Sequence, residues 1–121
     1  MNQPAGIPTI DVQEAAARRA GPGNALVVDV RELAEFADVR LEGVVLMPMS
    51  SFGERHAELP TDRPLLVMCH MGGRSAAATA FLIRSGWTDV VNVAGGIDAW
   101  ERAGLPVRRG APAPGEGDLS G

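Results

Sequence analysis

The stretch "LLVMCHMGGRSAAATAFLI" (residues 65–83) changes character twice along its length. Its apolar start, Leu65–Cys69, is too short for a buried helix and reads as a strand covered on both faces. His70–Gly73 form a glycine-containing turn, and the alanine-rich segment from Ser75 reads as a helix with Gly86 as its stop. Strand, turn and helix in immediate succession form the repeating unit of parallel α/β sheets. In such sheets ligands sit beyond the carboxyl ends of the strands. There the unit leaves Cys69, the chain's single cysteine.

The same alternation extends to both sides. "TIDVQEAAARRAGPG" (9–23) reads as a short extended piece and then a helix, with Asp11 as N-cap, Glu14 completing a capping box, and Gly21–Gly23 as the stop. "ALVVDV" (25–30) is a second buried strand, and "RELAEFADVR" (31–40) has helical spacing of Leu33 and Phe36. "VVLMPM" (44–49) is extended and stopped by Pro48, and Ser51 with Glu54 suggests a capping box for a short helix. "DVVNVAGG" (89–96) is a last strand with its turn, and "IDAWERAG" (97–104) a short helix ended by Gly104. Phe36 and Trp100 are expected as core anchors, and Gly95–Gly96 as a tight turn with a close backbone approach. Residues 1–107 thus make one domain. The tail 108–121, rich in Gly, Pro and Ala and without apolar periodicity, is expected to be disordered.

Composition narrows the function classes. The chain has 121 residues, 45% hydrophobic and 21% charged, as a soluble globular domain has. A net charge of −4 offers no basic surface for nucleic acid or an anionic membrane. All the basic residues are arginine, to which no function is attached. One cysteine forms no internal disulfide. The opening "MNQPAGIPTID" lacks the basic and apolar regions of a signal peptide, and no run approaches a membrane span. A cytoplasmic protein with a reduced thiol is the expectation.

At Cys69 two readings compete. A lone cysteine ending an apolar run is ordinarily an inert core residue. Against that, Gly72 and Gly73 let the turn aim successive N–H groups inward, and the helix behind adds unpaired N–H groups and its positive dipole end. Arg74 stands beside them as a cation. A sulfur at this mouth should ionise readily, because the thiolate is the anion being stabilised. The residues by themselves leave both readings open.

"CHMGGRS" (69–75) resembles the active-site loop of rhodanese-like sulfurtransferases, C-x-x-G-x-R-S. "VVDVRELAEF" (27–36), "LEGVVLMPMSSF" (41–52) and "SGWTDVVNVAGGIDAWERAGLPV" (85–107) resemble the family's other blocks, in family order. The chain departs from them at Arg40, which stands at a usual His, at Glu42, at a usual Pro, and at Leu46, at a usual Asn or His. The resemblance implies an α/β fold, rhodanese-like, with a central, mostly parallel five-stranded sheet and helices on both faces. It implies that Cys69 is a nucleophile carrying a persulfide. The N–H groups of His70, Met71, Gly72, Gly73 and Arg74 would hold the terminal sulfur, Arg74 would attract donor and persulfide, and Ser75 would cap the helix or donate a hydrogen bond. The partners implied are a small-molecule sulfur donor such as thiosulfate and a thiol or cyanide acceptor, with a protein donor or acceptor as a further option.

The remaining polar residues are read more plainly. His70 and Met71 belong to the rim, since a thiolate needs no base. His56 is expected on the solvated surface. Asp29 and Arg31 end a strand near Cys69 and could support the site, but are read as bracing the loop, with Arg31 paired to an acidic neighbour such as Glu35. One cysteine and two distant histidines give no metal-ligand spacing, and no cofactor is called for. Two rival functions remain. A phosphatase or arsenate reductase on the same fold uses C-x5-R, whereas four residues separate Cys69 from Arg74 here, a loop better suited to one sulfur atom. A non-catalytic regulatory module of the same family would have no need to keep both Cys69 and Arg74.

Overall fold

The computed structural model describes residues 6–119. The first five residues of the N-terminal stretch and the last two of the tail lie outside them. The chain runs β1 (Thr9–Ile10), α1 (Val12–Ala20), β2 (Leu26–Asp29), α2 (Leu33–Asp38), β3 (Val39–Arg40), β4 (Val45–Leu46) and α3 (Met49–Arg55). After a 3₁₀ turn at His56–Glu58 come β5 (Leu65–Met68), α4 (Gly73–Arg84), β6 (Val90–Val93), α5 (Gly96–Arg102) and β7 (Arg108–Arg109). Five strands form one sheet in the order β1-β6-β5-β2-β4, every pair parallel. The α/β architecture expected from the sequence, a parallel five-stranded sheet with helices on both faces, is the one observed.

The two-residue period of the strands divides the core. Leu65, Val67 and Cys69 of the β5 segment face α3 and α4 together with Phe52 and Leu82. Leu66 and Met68 face α1, α2 and α5 together with Phe36 and Trp100. Leu65–Met68 and Leu26–Asp29 are buried throughout, which is why these strands read as unbroken apolar runs.

Local signals mostly survive. Asp11 caps α1, its carboxylate accepting the Glu14 N–H at 2.8 Å. The capping box expected from Ser51 and Glu54 does not form, because α3 starts earlier, at Met49 after Pro48. Glu32, at the N-cap of α2, instead accepts the Ser50 N–H and hydroxyl at 3.1 and 2.7 Å. The box that does form joins Glu32 and Glu35. Leu33, read as an apolar contact of α2, is 61% exposed.

The tail is the main correction. Residues 108–119 are not loose: β7 pairs antiparallel with β3. The Arg40 guanidinium donates to Glu116 and to the Gly110 carbonyl, and the Leu46 N–H donates to the Gly117 carbonyl at 2.7 Å. Leu119 packs against the core layer that contains Phe52 and Leu82. These attachments are one buried ion pair and backbone bonds at a sheet edge, and neither leaves a periodic apolar pattern to read. They also account for two departures from the family blocks. Arg40 anchors the tail, and Glu42 pairs with Arg108 at 2.9 Å.

Candidate active site

β5 delivers Cys69 to the carboxyl edge of the sheet with its side chain on the α4 side. Cys69 is 1% exposed. The turn then reverses at Gly72, whose φ of 111° is a left-handed conformation, and α4 begins at Gly73. That turn brings the Gly72 N–H to 3.0 Å from Cys69 Sγ, and the Ser75 hydroxyl stands 3.4 Å away. Burial by itself pushes the thiol up. The Ser75 hydroxyl and the N–H groups of Ser75, Gly72 and Met71 outweigh it, so the thiol titrates below its ordinary value.

The loop is held from behind by a second helix. The N–H groups of Ile97 and Asp98, at the start of α5, donate to the carbonyls of Cys69 and His70 at 2.9 and 3.0 Å. In a trans peptide the N–H lies opposite its C=O. Tying both carbonyls to α5 therefore turns the N–H groups of His70 and Met71 away from it, toward the interior of the loop. Gly95 and Gly96 make this possible, as expected. A Cβ on Gly96 would stand 2.2 Å from the Cys69 carbonyl oxygen, and its φ is 57°. His70 and Met71 are exposed on the rim, Met71 to 65%. A cleft of about 110 Å³ lined by Arg31, Glu35, Asp38, Val39 and His70 opens beside them.

Arg74 does not stand free. Its guanidinium makes two parallel bonds to the Glu35 carboxylate at 2.7 and 2.8 Å. The Arg74 hydrogen bond holds the Glu35 carboxyl at about 2, burial opposing and the Glu32 N–H assisting. Arg74 is correspondingly held more firmly protonated by Glu35, and the Cys69 sulfur acts on it in the same direction. The pairing foreseen between Arg31 and Glu35 is thus replaced. Arg31 pairs with Asp29 at 2.8 Å, both side chains buried. Its remaining N–H groups reach the Glu35 and Val39 carbonyls at 3.1 and 2.7 Å. The pair ties α2 to the end of β2, a bracing role as read from the sequence.

Of the two roles expected for Ser75, a helix cap or a hydrogen-bond donor, the second is the one seen: Ser75 lies inside α4, and its hydroxyl is 3.2 Å from the Gly72 carbonyl and 2.6 Å from Asn92 Oδ1. His56, expected on the solvated surface, is half-buried. Its ring meets Phe81 edge-on at 4.7 Å and lies 5.6 Å from Trp87. Asn92, fully buried in β6 against Ser75, was missed. The available signal was a polar residue within the apolar run "VVNV" (90–93).

Comparison with known proteins gives concordant matches. A family model described as a rhodanese-like domain matches residues 11–103. A sulfurtransferase of Allochromatium vinosum is 38% identical over 98 residues, covering 81% of this chain and 92% of that protein. The thiosulfate sulfurtransferase GlpE of Actinobacillus succinogenes is 37% identical over 84 residues, covering 69% of this chain and 76% of that one. Among solved structures, a rhodanese-related protein from Thermoplasma volcanium superposes with a TM-score of 0.77 at 32% identity, over 84% of this chain and 97% of that one.

Proposed function

The chain belongs to the rhodanese-like domain family, and on that premise we propose that it is a sulfurtransferase working through a Cys69 persulfide. The Cys69 thiolate attacks the outer sulfur of a donor such as thiosulfate. The donor's S–S bond breaks, sulfite leaves with the bonding electron pair, and Cys69 carries the sulfur as a persulfide anion. Cyanide or a cellular thiolate then attacks that terminal sulfur and regenerates the Cys69 thiolate. This is covalent catalysis with an anionic intermediate, so its demands are a ready thiolate and fixed donors around the transferred sulfur.

The observation that carries the reading is the Gly72 N–H at 3.0 Å from Cys69 Sγ in a loop closed by Arg74, with four residues between Cys69 and Arg74. N–H groups fixed by α5 and by the left-handed Gly72 cost nothing to reorganise when negative charge arrives. Arg74, paired through both terminal nitrogens with Glu35, adds a cation near the sulfur; its role is to moderate the charge of the loop more than to grip the donor. Relatives named sulfurtransferase and thiosulfate sulfurtransferase support the same chemistry. A thiol that must stay reduced fits a cytoplasmic setting.

The test is direct. Incubation with thiosulfate and cyanide should release thiocyanate, and mass spectrometry after the donor alone should find one added sulfur atom. Cys69→Ser should abolish both. Efficient phosphate-ester hydrolysis without thiocyanate or a sulfur adduct would overturn the assignment.

A further inference from the structure

The α4-facing side of the sheet is apolar around Cys69 except at Asn92. Along β6, Val90 faces α4, and the two-residue period turns Asn92 the same way. Asn92 lies beside Val67 of β5, two residues before Cys69, and is 0% exposed. Its Oδ1 is 2.6 Å from Ser75 Oγ, while its Nδ2 has no hydrogen-bond partner among the described residues. A buried amide nitrogen left without an acceptor costs about 1–3 kcal/mol. A leucine would fill the position without that cost, so the amide needs a reason to be there.

Ser75 supplies the reason. Its hydroxyl has one proton and three acceptors in reach: Asn92 Oδ1 at 2.6 Å, the Gly72 carbonyl at 3.2 Å and Cys69 Sγ at 3.4 Å. It cannot serve the amide oxygen and the sulfur together.

We propose that Asn92 is a positioning residue for Cys69, acting through Ser75: when the sulfur is ionised, the carboxamide turns over, donates Nδ2–H to Ser75 Oγ and leaves the serine proton to Cys69 Sγ. The turn exchanges two atoms of nearly equal size. It breaks no other bond, since neither amide atom has a second partner among the described residues. With the thiol neutral, Ser75 donates to Oδ1. With the anion present, a chain runs from Asn92 Nδ2–H to Ser75 Oγ–H to Cys69 Sγ, and the charge-assisted last link provides the bias. The thiol proton leaves to solvent and no other proton changes owner. The proposal rests on the reading of Cys69 as a thiolate nucleophile, and it extends the sulfur's support to the neighbouring strand.

Iodoacetamide alkylation against pH measures the acidity of the lone cysteine without any sulfur donor. Asn92→Leu should raise the thiol pKa and slow alkylation at a pH below it roughly tenfold, the size of one charge-assisted hydrogen bond. In a Ser75→Ala background the same substitution should have no effect. Were Asn92 only an acceptor, Asn92→Leu would release the serine proton to the sulfur and lower the pKa. A fall, no change, or an equal rise without Ser75 overturns the proposal. The charged groups facing the loop are the same in every variant: Arg74 and Glu35 from α4 and α2, Asp29 and Arg31 from the end of β2, His70 in the loop and Asp98 from α5. If Asn92→Leu fails to fold, the Asn92 side-chain amide resonances of the unaltered protein serve instead. A downfield shift that shares the thiol's titration midpoint and vanishes in Ser75→Ala supports the chain, and a pH-independent pair overturns it. Absence of thiocyanate with the acidity pattern intact would count against sulfur transfer and leave this chain of bonds standing.

Discussion

Cys69 combines two properties that normally oppose each other, near-complete burial and a thiol more acidic than usual. Burial penalises the thiolate, and the fixed N–H groups and the Ser75 hydroxyl more than repay it. The reactive form is the thiolate, so the alkylation rate should rise with pH and level off below the ordinary thiol pKa. Ser75→Ala should move that midpoint upward, read from the pH–rate profile. At Glu35 the sign is also fixed. Its folded pKa of about 2 lies below the ordinary 4.5, so its pairing with Arg74 stabilises fully above 4.5 and is lost as pH falls through about 2. Glu35→Gln should therefore lower the melting temperature at neutral pH, and its gap from the unaltered protein should close between pH 4.5 and 2. At this scale Cys69, Arg74 and the rim position of His70 were legible in "CHMGGRS" (69–75). The partner of Arg74 was not, because Glu35 stands 39 residues away in the chain and meets Arg74 only in the folded protein.

The element that makes the site is the β5–turn–α4 unit, and its geometry is completed by α5. The N-terminal N–H groups of α5 fix the Cys69 and His70 carbonyls, while the turn and the start of α4 address the sulfur. Two helix starts therefore act on one loop from opposite sides. Gly96 is where this arrangement is most exposed to substitution. Gly96→Ala forces a side chain into a left-handed backbone, at about 1–2 kcal/mol, and drives its Cβ into the Cys69 carbonyl. Urea unfolding should show a loss of at least that size. Persulfide formation should fall further than stability explains, since the loop must move. The sequence showed that a close approach occurs at Gly95–Gly96; only the packed structure shows that it is made against the cysteine's own carbonyl.

For the whole molecule, the tail decides how the edge of the sheet is finished. β4 has a neighbour on one side only, and residues 108–119 cover part of its other side through the bond from Leu46 to Gly117. Removing the chain after Val107 would leave the Arg40 guanidinium, 3% exposed, without Glu116. Such a truncation should lower the melting temperature by roughly 5 °C or more in thermal unfolding. Thiocyanate formation at low temperature should persist, since among the described residues the Cys69 loop makes no hydrogen bond to the tail. By itself the sequence determined the order of the helices and of the strands of the main sheet, the parallel sheet and the carboxyl-edge position of Cys69, but not β3 and β7, because apolar period, glycine stops and helix caps are local signals. Only the tertiary structure decided the partners of Arg74 and Arg40, the bracing of the loop by α5, and the contact of Asn92 with Ser75. Those are contacts between residues far apart in the chain, and nothing in local spacing encodes which charge meets which carboxylate.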